Sequence, residues 1–167
     1  MKRNYGLVVL PLLFSLFVYL FYRTEKTLIT EIFISLISLE KYHAYRSFIS
    51  AVLPLNEHVI YSLPEGLWVF SITLTSKNLF FKVGEREISL LFFPLVFSIG
   101  LELFQLLHLT NGKFDFWDIG LSVLFWGFAH YLVPHKSARQ NILNPFTMRS
   151  FICLVTYAIV YLAHVWK

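Results

Sequence analysis

The sequence predicts an all-α integral membrane protein: a bundle of about five transmembrane helices, with an interfacial amphipathic helix after the first. Composition is the first observation, because 57% of the 167 residues are hydrophobic and only 14% are charged. Soluble domains carry roughly 25% charged residues. The second observation is a series of five apolar segments, each near the ~20 residues that cross a bilayer. We therefore expect one transmembrane domain over residues 1–167.

The apolar segments are separated by short polar stretches. Their approximate ranges are 5–22, 58–76, 88–108, 116–134 and 147–166. Lys2 and Arg3 precede the first segment, but no small-residue cleavage site follows it, so we expect an uncleaved first helix.

The long segment 23–57 includes the stretch "TLITEIFISLISLEKY". Its apolar residues share one helical face and its polar residues largely share the other. This pattern is typical of a helix that lies in the membrane interface. A helix packed onto the bundle is the alternative.

The basic residues predict an orientation. Lys and Arg are more numerous on the short segments that include Lys82 than on the side that includes Lys113. Because short cytoplasmic loops are enriched in Lys and Arg, we expect a multi-pass protein of the cytoplasmic (inner) membrane with a cytoplasmic N-terminus. Membrane lipids are the expected partners. The net charge of +4 is spread over loops, so nucleic acid is not an expected partner, and the single Cys153 excludes a disulfide framework.

Polar residues recur near one end of the predicted bundle. Glu102 and Gln105 share a face of the third apolar segment because they are three residues apart. The short "TNGKF" connection predicts an antiparallel hairpin, which places Asp115 and Asp118 in the first turn of the next helix. Glu65 follows a proline at a similar depth. We expect these side chains to line one acidic pocket that faces outward.

Burial of these carboxylates needs a physical reason. An acidic side chain at the centre of a membrane helix costs roughly 2.5–3.5 kcal/mol on insertion scales. The group is therefore expected to be protonated, to hold a cation or to bind a polar ligand. Simpler roles stay open: Asp115 as an N-cap, Asp118 as a partner of the helix dipole, and Glu102 with Gln105 as an interhelical clasp.

Two glycines are expected at close helix contacts. Gly66 follows Pro64, which is expected to kink or loosen its helix, and Gly127 lies in the fourth apolar segment.

The stretch "ELFQLLHLTNGKFDFWDIGLSVLFWG" resembles the hairpin of the VanZ-like family of small bacterial membrane proteins. Glu102 and Gln105 match its Glu-x-x-Gln element, Asp115 and Asp118 its acidic segment, and Gly127 its glycine. The resemblance implies a polytopic bundle with an acidic site facing the cell exterior. It also implies a link to glycopeptide antibiotic resistance, and it implies no reaction.

The leading functional hypothesis is a bacterial envelope protein whose outward-facing acidic pocket binds a polar lipid head group, a lipid-linked precursor or a glycopeptide-like ligand. The alternative is an intramembrane enzyme on a lipid or phosphate substrate. Glu102 and Asp118 would then act as acid/base groups or hold a divalent cation, with Glu65 assisting. A small proton or cation transport subunit is a third hypothesis. The metal stays open, because a hard-ion site needs six or more oxygens.

Overall fold

The computed structural model describes residues 5–23, 27–109, 114–134 and 137–164, and they form helices with one small sheet. The elements in chain order are α1 (Tyr5–Tyr22), α2 (Leu28–Ile37), α3 (Leu39–Val52), α4 (Glu57–Tyr61), α5 (Leu63–Ser76), β1 (Leu79–Val83), β2 (Arg86–Ser89), a 3-10 turn (Leu90–Phe92), α6 (Phe93–Leu106), α7 (Phe116–Gly127), a π-helical turn (Phe128–Leu132), β3 (Gln140–Asn141) and α8 (Met148–His164).

Helix α5 is the centre of the fold. It packs against α1, α4, α6, α7 and α8. Its apolar side chains Trp68, Val69 and Ile72 form a core with Val160 of α8. Small polar residues also lie on buried faces of α5, and Ser71 donates a hydrogen bond to the Val8 carbonyl oxygen of α1 at 3.1 Å. Most faces of α5 are buried. Its side chains therefore determine how closely the surrounding helices pack around it.

Helices α6 and α7 form the predicted antiparallel hairpin. Trp126 donates to the carbonyl oxygen of Leu91 at 3.0 Å, and the Ser98 and Ser122 hydroxyls are 2.7 Å apart. Leu91 precedes Ser98 in the chain, whereas its partner Trp126 follows Ser122, the partner of Ser98. The two segments therefore run in opposite directions. The connecting turn, residues 110–113, lies outside the described residues.

The sheet was not predicted. β1 is its central strand, antiparallel to β2 and parallel to β3. The β1–β2 hairpin turns at Gly84, whose φ of 61° lies in the left-handed region that glycine adopts without strain. The third apolar segment therefore begins as a strand and a 3-10 turn.

The prediction of transmembrane helices was wrong. Among the described residues, no helix combines the length and the apolar character that crossing a bilayer requires. Segment 58–76 is divided at Ser62, and strand β2 and the 3-10 turn leave α6 only 14 residues. Helix α7 has 12 residues before it widens into the π-helical turn. Three further predictions depended on transmembrane helices and are wrong for the same reason. They are the assignment as a membrane protein, the inner-membrane localisation, and the orientation derived from Lys82 and Lys113.

The described part of segment 23–57, residues 23 and 27–57, packs onto the bundle, which was the alternative to an interfacial helix. It forms α2 and α3, separated at Ser38, whose φ is 79°. The Tyr42 hydroxyl of α3 donates to the Leu20 carbonyl oxygen at 2.8 Å, and the Tyr22 hydroxyl donates to that of Leu53 at 2.6 Å. These bonds hold α3 against α1.

The two glycines behave differently. A Cβ added to Gly66 would lie 2.5 Å from Cδ2 of Phe125, so α5 and α7 approach closely there, as expected. A Cβ added to Gly127 would meet no atom of the described residues within 4 Å, so the expected close contact at Gly127 is not found there.

Candidate metal centre

Glu65 lies in the first turn of α5, just after Pro64. A proline fits the start of a helix because the first N–H groups have no intrahelical partner, and Pro64 lies in the first turn of α5, directly after the break at Ser62 that divides the predicted helix 58–76. Ser15 of α1 donates to the Pro64 carbonyl oxygen at 3.0 Å, which fixes this turn against α1. The Glu65 side chain is only 6% exposed. Its Oε1 is 2.8 Å from the Ser98 hydroxyl of α6.

Ser98 links Glu65 to Ser122 of α7. Its Oγ is 2.8 Å from the carboxyl oxygen and 2.7 Å from the Ser122 hydroxyl. Because a hydroxyl carries one proton, Ser98 donates to an ionised Glu65 while accepting from Ser122. When Glu65 is protonated, it can donate to Ser98, and Ser98 then donates to Ser122. The direction of this chain therefore follows the protonation of Glu65.

Glu102 is buried in α6 and is only 1% exposed. Its Oε2 accepts a hydrogen bond from the backbone N–H of Asp115 at 3.0 Å. Asp115 is the N-cap of α7, and its side chain accepts from the Trp117 N–H at 2.9 Å. Glu102 is thus held at the N-terminal end of α7, where partial positive charge favours a carboxylate.

Asp118 follows in the first turn of α7 and is 7% exposed. Its Oδ1 is buried and accepts no hydrogen bond from any described residue. The Ser62 hydroxyl, 1% exposed between α4 and α5, also makes no hydrogen bond within 3.5 Å to a described residue, although it is near enough to Asp118 to lower the pKa of that carboxyl as a donor would. Buried oxygens are rarely left in this state, because an unsatisfied polar group costs about 1–3 kcal/mol.

The three carboxyl groups meet at one point. One oxygen each from Glu65, Glu102 and Asp118 lies within 4.8 Å of the other two. Oxygens on opposite sides of a Ca²⁺ ion are about 4.6–5.2 Å apart and neighbouring oxygens about 3.3–3.7 Å, and both distances are shorter around Mg²⁺. One hard divalent cation can therefore be bound by the three oxygens after side-chain movements that bring them closer together.

The electrostatics of the site favour neutral carboxyls while no cation is bound. Burial, followed by the charge of Asp118, raises the pKa of Glu65 to about 8. Burial also raises the pKa of Glu102, against the hydrogen bond from the Asp115 backbone, and the pKa of Asp118, against the nearby Ser62 hydroxyl. Desolvation and mutual repulsion both disfavour three ionised groups together.

Arg23 opposes this repulsion. It follows the last residue of α1, and its positive charge counters the rise in pKa of Glu65, Glu102 and Asp118. Its guanidinium carbon lies 4.5 Å from the ring centre of Tyr19, which is 4% exposed and whose pKa is raised by burial and by the charges of Glu65 and Asp118. The basic residue that lowers the pKa values of all three carboxyl groups therefore lies outside α5, α6 and α7, the helices that carry them.

The structure brings together three of the five predicted site residues. Gln105 is half-buried, and within the described ranges its side chain makes no hydrogen bond. Of the proposed interhelical clasp, only the hydrogen bond from the Asp115 N–H to Glu102 is therefore present in the described ranges. Asp115 has the simpler role of N-cap, although its negative charge adds to the raised pKa values of Glu102 and Asp118.

Sequence reasoning missed the hydroxyl groups and the arginine side chain near the carboxylates. For two of the hydroxyl groups, the helical spacing was a usable signal. Ser98 is four residues before Glu102, and Ser122 is four residues after Asp118, so each shares a face with its carboxylate. The other missed residues are Tyr19, Arg23 and Ser62, and only the packing of α1 against α5 brings Tyr19 and Arg23 to the site.

Comparisons of this chain with protein-family models, with curated proteins and with solved structures find no match. The resemblance to the VanZ-like family therefore stays a prediction from the residues that carry it.

Proposed function

We propose that the protein binds a divalent cation at Glu65, Glu102 and Asp118, and binds a polar ligand through that cation. The observation that carries this proposal is the convergence of one oxygen each from Glu65, Glu102 and Asp118, together with a buried Asp118 Oδ1 that has no hydrogen-bond partner among the described residues. Oxygen donors of this kind suit Mg²⁺, Ca²⁺ or Mn²⁺. A bound cation would satisfy Asp118 and remove the repulsion among the three groups.

Ser62 is the fourth oxygen that we assign to this centre. Its hydroxyl is buried, has no hydrogen-bond partner in the described part of the chain, and is near enough to Asp118 to lower its pKa. A cation between Ser62 and Asp118 would satisfy both oxygens. Charge also supports the proposal, because a divalent ion and Arg23 together balance three ionised carboxylates.

Burial favours an ion over an organic ligand in direct contact with the carboxylates. Glu102 is 1% exposed and Asp118 is 7% exposed, so their side chains offer little surface to a large molecule. The polar ligand predicted from the sequence would then approach the open coordination positions of the cation. Its identity as a lipid-linked precursor or a glycopeptide-like molecule stays a prediction.

Calorimetric titration of the purified chain with Mn²⁺ tests the cation site. We expect one binding event, and loss of at least about tenfold in affinity for Glu102→Gln and for Asp118→Asn, because each removes one charged ligand. Glu85→Gln is the matched control: it makes the same chemical change at an exposed position in the β1–β2 turn. Equal Mn²⁺ affinity in Glu102→Gln and Glu85→Gln would refute the site.

An acid–base role is the second candidate. The pKa of Glu65 near 8 makes this carboxyl a proton donor or acceptor close to neutral pH, and the Ser98–Ser122 chain gives its proton a buried partner. This role needs no cation. A protein that binds no Mn²⁺ but whose Glu65 titrates between pH 7 and 9, as followed by carboxyl NMR of a labelled sample, would favour it.

A further inference from the structure

Arg23 contacts two aromatic rings, that of Tyr19 in α1 and that of Tyr61, the residue before Ser62. Its guanidinium carbon is 4.5 Å from the ring centre of Tyr19 and 5.7 Å from that of Tyr61. Its backbone carbonyl oxygen accepts a hydrogen bond from Nη2 of Arg46 at 2.8 Å. The side chain is half-exposed, so it lies at the border between the buried site and solvent.

The packing of α1 explains this position. Ser15 contacts the Pro64 carbonyl oxygen next to Glu65, and Tyr19 lies one helical turn further along the same face. Arg23 is two turns beyond Ser15, a rise of about 12 Å. The direct electrostatic effect of Arg23 on all three carboxyl groups agrees with this placement.

The ring contacts of Arg23 do not use up its hydrogen-bonding capacity. The guanidinium carries five N–H donors, and its contacts with the Tyr19 and Tyr61 rings are cation–π contacts. Apart from the Tyr19 hydroxyl, no acceptor in the described ranges takes a hydrogen bond from the Arg23 side chain. Its N–H groups can therefore bind an oxyanion from solvent.

We propose that Arg23 and the cation held by Glu65, Glu102 and Asp118 together bind a phosphate group, either free or as an ester. This inference rests on the proposed cation site. Guanidinium groups match phosphate oxygens in geometry and charge. Protein-bound Mg²⁺ commonly completes its coordination with phosphate oxygens. With four protein oxygens assigned, a six-coordinate ion keeps positions for such a ligand.

The test is calorimetric titration of inorganic phosphate, and separately of phenyl phosphate, into Mg²⁺-loaded protein. If inorganic phosphate and phenyl phosphate both bind, the site accepts phosphate esters. If only inorganic phosphate binds, the site is restricted to the free ion. If neither compound binds, the proposal is wrong. Acetate is the control for a carboxylate ligand. We expect it to bind more weakly than phosphate, because it has only two oxygens to share between Arg23 and the cation.

Arg23→Gln should weaken phosphate binding at least about tenfold, because a charge-assisted hydrogen bond is lost. The same change should leave Mg²⁺ affinity equal or higher, because a neighbouring positive charge is removed. Arg139→Gln is the matched control, since Arg139 also stacks on a ring, that of Phe80 at 5.1 Å, elsewhere in the fold. It should change neither affinity.

The two proposals fail in different ways. Wild-type protein that binds no Mg²⁺ overturns the cation site and the phosphate site with it. Wild-type protein that binds Mg²⁺ with unchanged phosphate affinity in Arg23→Gln overturns the phosphate site alone. If Arg23→Gln does not fold, Arg23→Lys is used: it keeps the charge but loses the fork of donors, and should bind phosphate more weakly than wild type with Mg²⁺ affinity retained.

Discussion

Glu65 carries the strongest electrostatic conflict among the site residues. Burial raises its pKa from 4.5 to about 8 in the folded chain. The folded state therefore holds a proton that the unfolded chain releases near pH 4.5. This preference stabilises the fold fully below pH 4.5 and is lost as the pH rises through about 8. Each unit of pKa difference corresponds to about 1.4 kcal/mol.

Replacing Glu65 by Gln should consequently stabilise the cation-free protein at alkaline pH. The amide keeps the shape and the hydrogen bond to Ser98, and it cannot ionise. We expect Glu65→Gln and wild type to have similar free energies of unfolding at pH 5, with the variant more stable at pH 9. Urea denaturation in the presence of a chelator measures both. Lower stability of the variant at pH 9 would contradict the origin assigned to this pKa.

Sequence reasoning could predict a site residue where helical spacing alone determines the face on which its side chain lies. The carboxylates Glu65, Glu102 and Asp118 were expected to converge, and their oxygens do lie together. Gln105 was placed with them from its spacing to Glu102, but the orientation of α6 leaves it half-buried without a hydrogen bond in the described ranges. Arg23 was not placed there, because its position depends on long-range packing of α1.

At the scale of elements, the close approach of α5 and α7 positions Asp118 opposite Glu65. Gly66 permits this approach, because an added Cβ would lie 2.5 Å from the Phe125 ring. Gly66→Ala should destabilise the fold by about 1–3 kcal/mol through overpacking. It should also weaken Mn²⁺ binding, because α7 carries Asp118.

The matched control for that variant is Gly127→Ala, a change in α7 whose added Cβ meets no atom within 4 Å in the described part of the chain. We expect it to be neutral or stabilising by up to about 1 kcal/mol, because alanine favours the helix. Thermal unfolding and Mn²⁺ titration compare the two variants. A Gly66→Ala protein as stable as Gly127→Ala would show that the α5–α7 contact adjusts freely.

The elements that sequence reasoning identified are those with strong apolar periodicity. The α6–α7 hairpin was expected from its short connection, and its paired residues run in the expected order. The β1–β2 hairpin was missed, because residues 77–87, which include β1 and the start of β2, were interpreted as the connection between the second and third apolar segments. Its local signal was Gly84 followed by Glu85 between two short runs of β-favouring residues.

At the scale of the molecule, apolar composition misled the prediction of fold class. Composition counts hydrophobic residues but does not fix the length of the helices that contain them. Here Ser62, the β1–β2 hairpin and the π-helical turn interrupt the apolar segments. Many large apolar side chains also remain exposed, including Val96, Phe116 and Tyr131. A high hydrophobic fraction therefore did not correspond to bilayer-spanning elements in the described residues.

Proton and cation binding should compete in the whole molecule, since both neutralise the same three carboxylates. Their pKa values are all raised, so protons occupy the site more fully as the pH falls toward 4.5. Cation affinity should consequently rise with pH up to about 8, and stabilisation of the fold by the cation should rise with it.

The most direct measurement is an anomalous difference map from a crystal of the full chain soaked in Mn²⁺ at pH 8. We expect one peak within about 2.6 Å of an oxygen from each of Glu65, Glu102 and Asp118, with the Ser62 hydroxyl beside it. A crystal of Glu102→Gln prepared in the same way should lack the peak. Mn²⁺ bound only at other positions, with these carboxyl groups hydrogen-bonded to one another, would contradict the cation site.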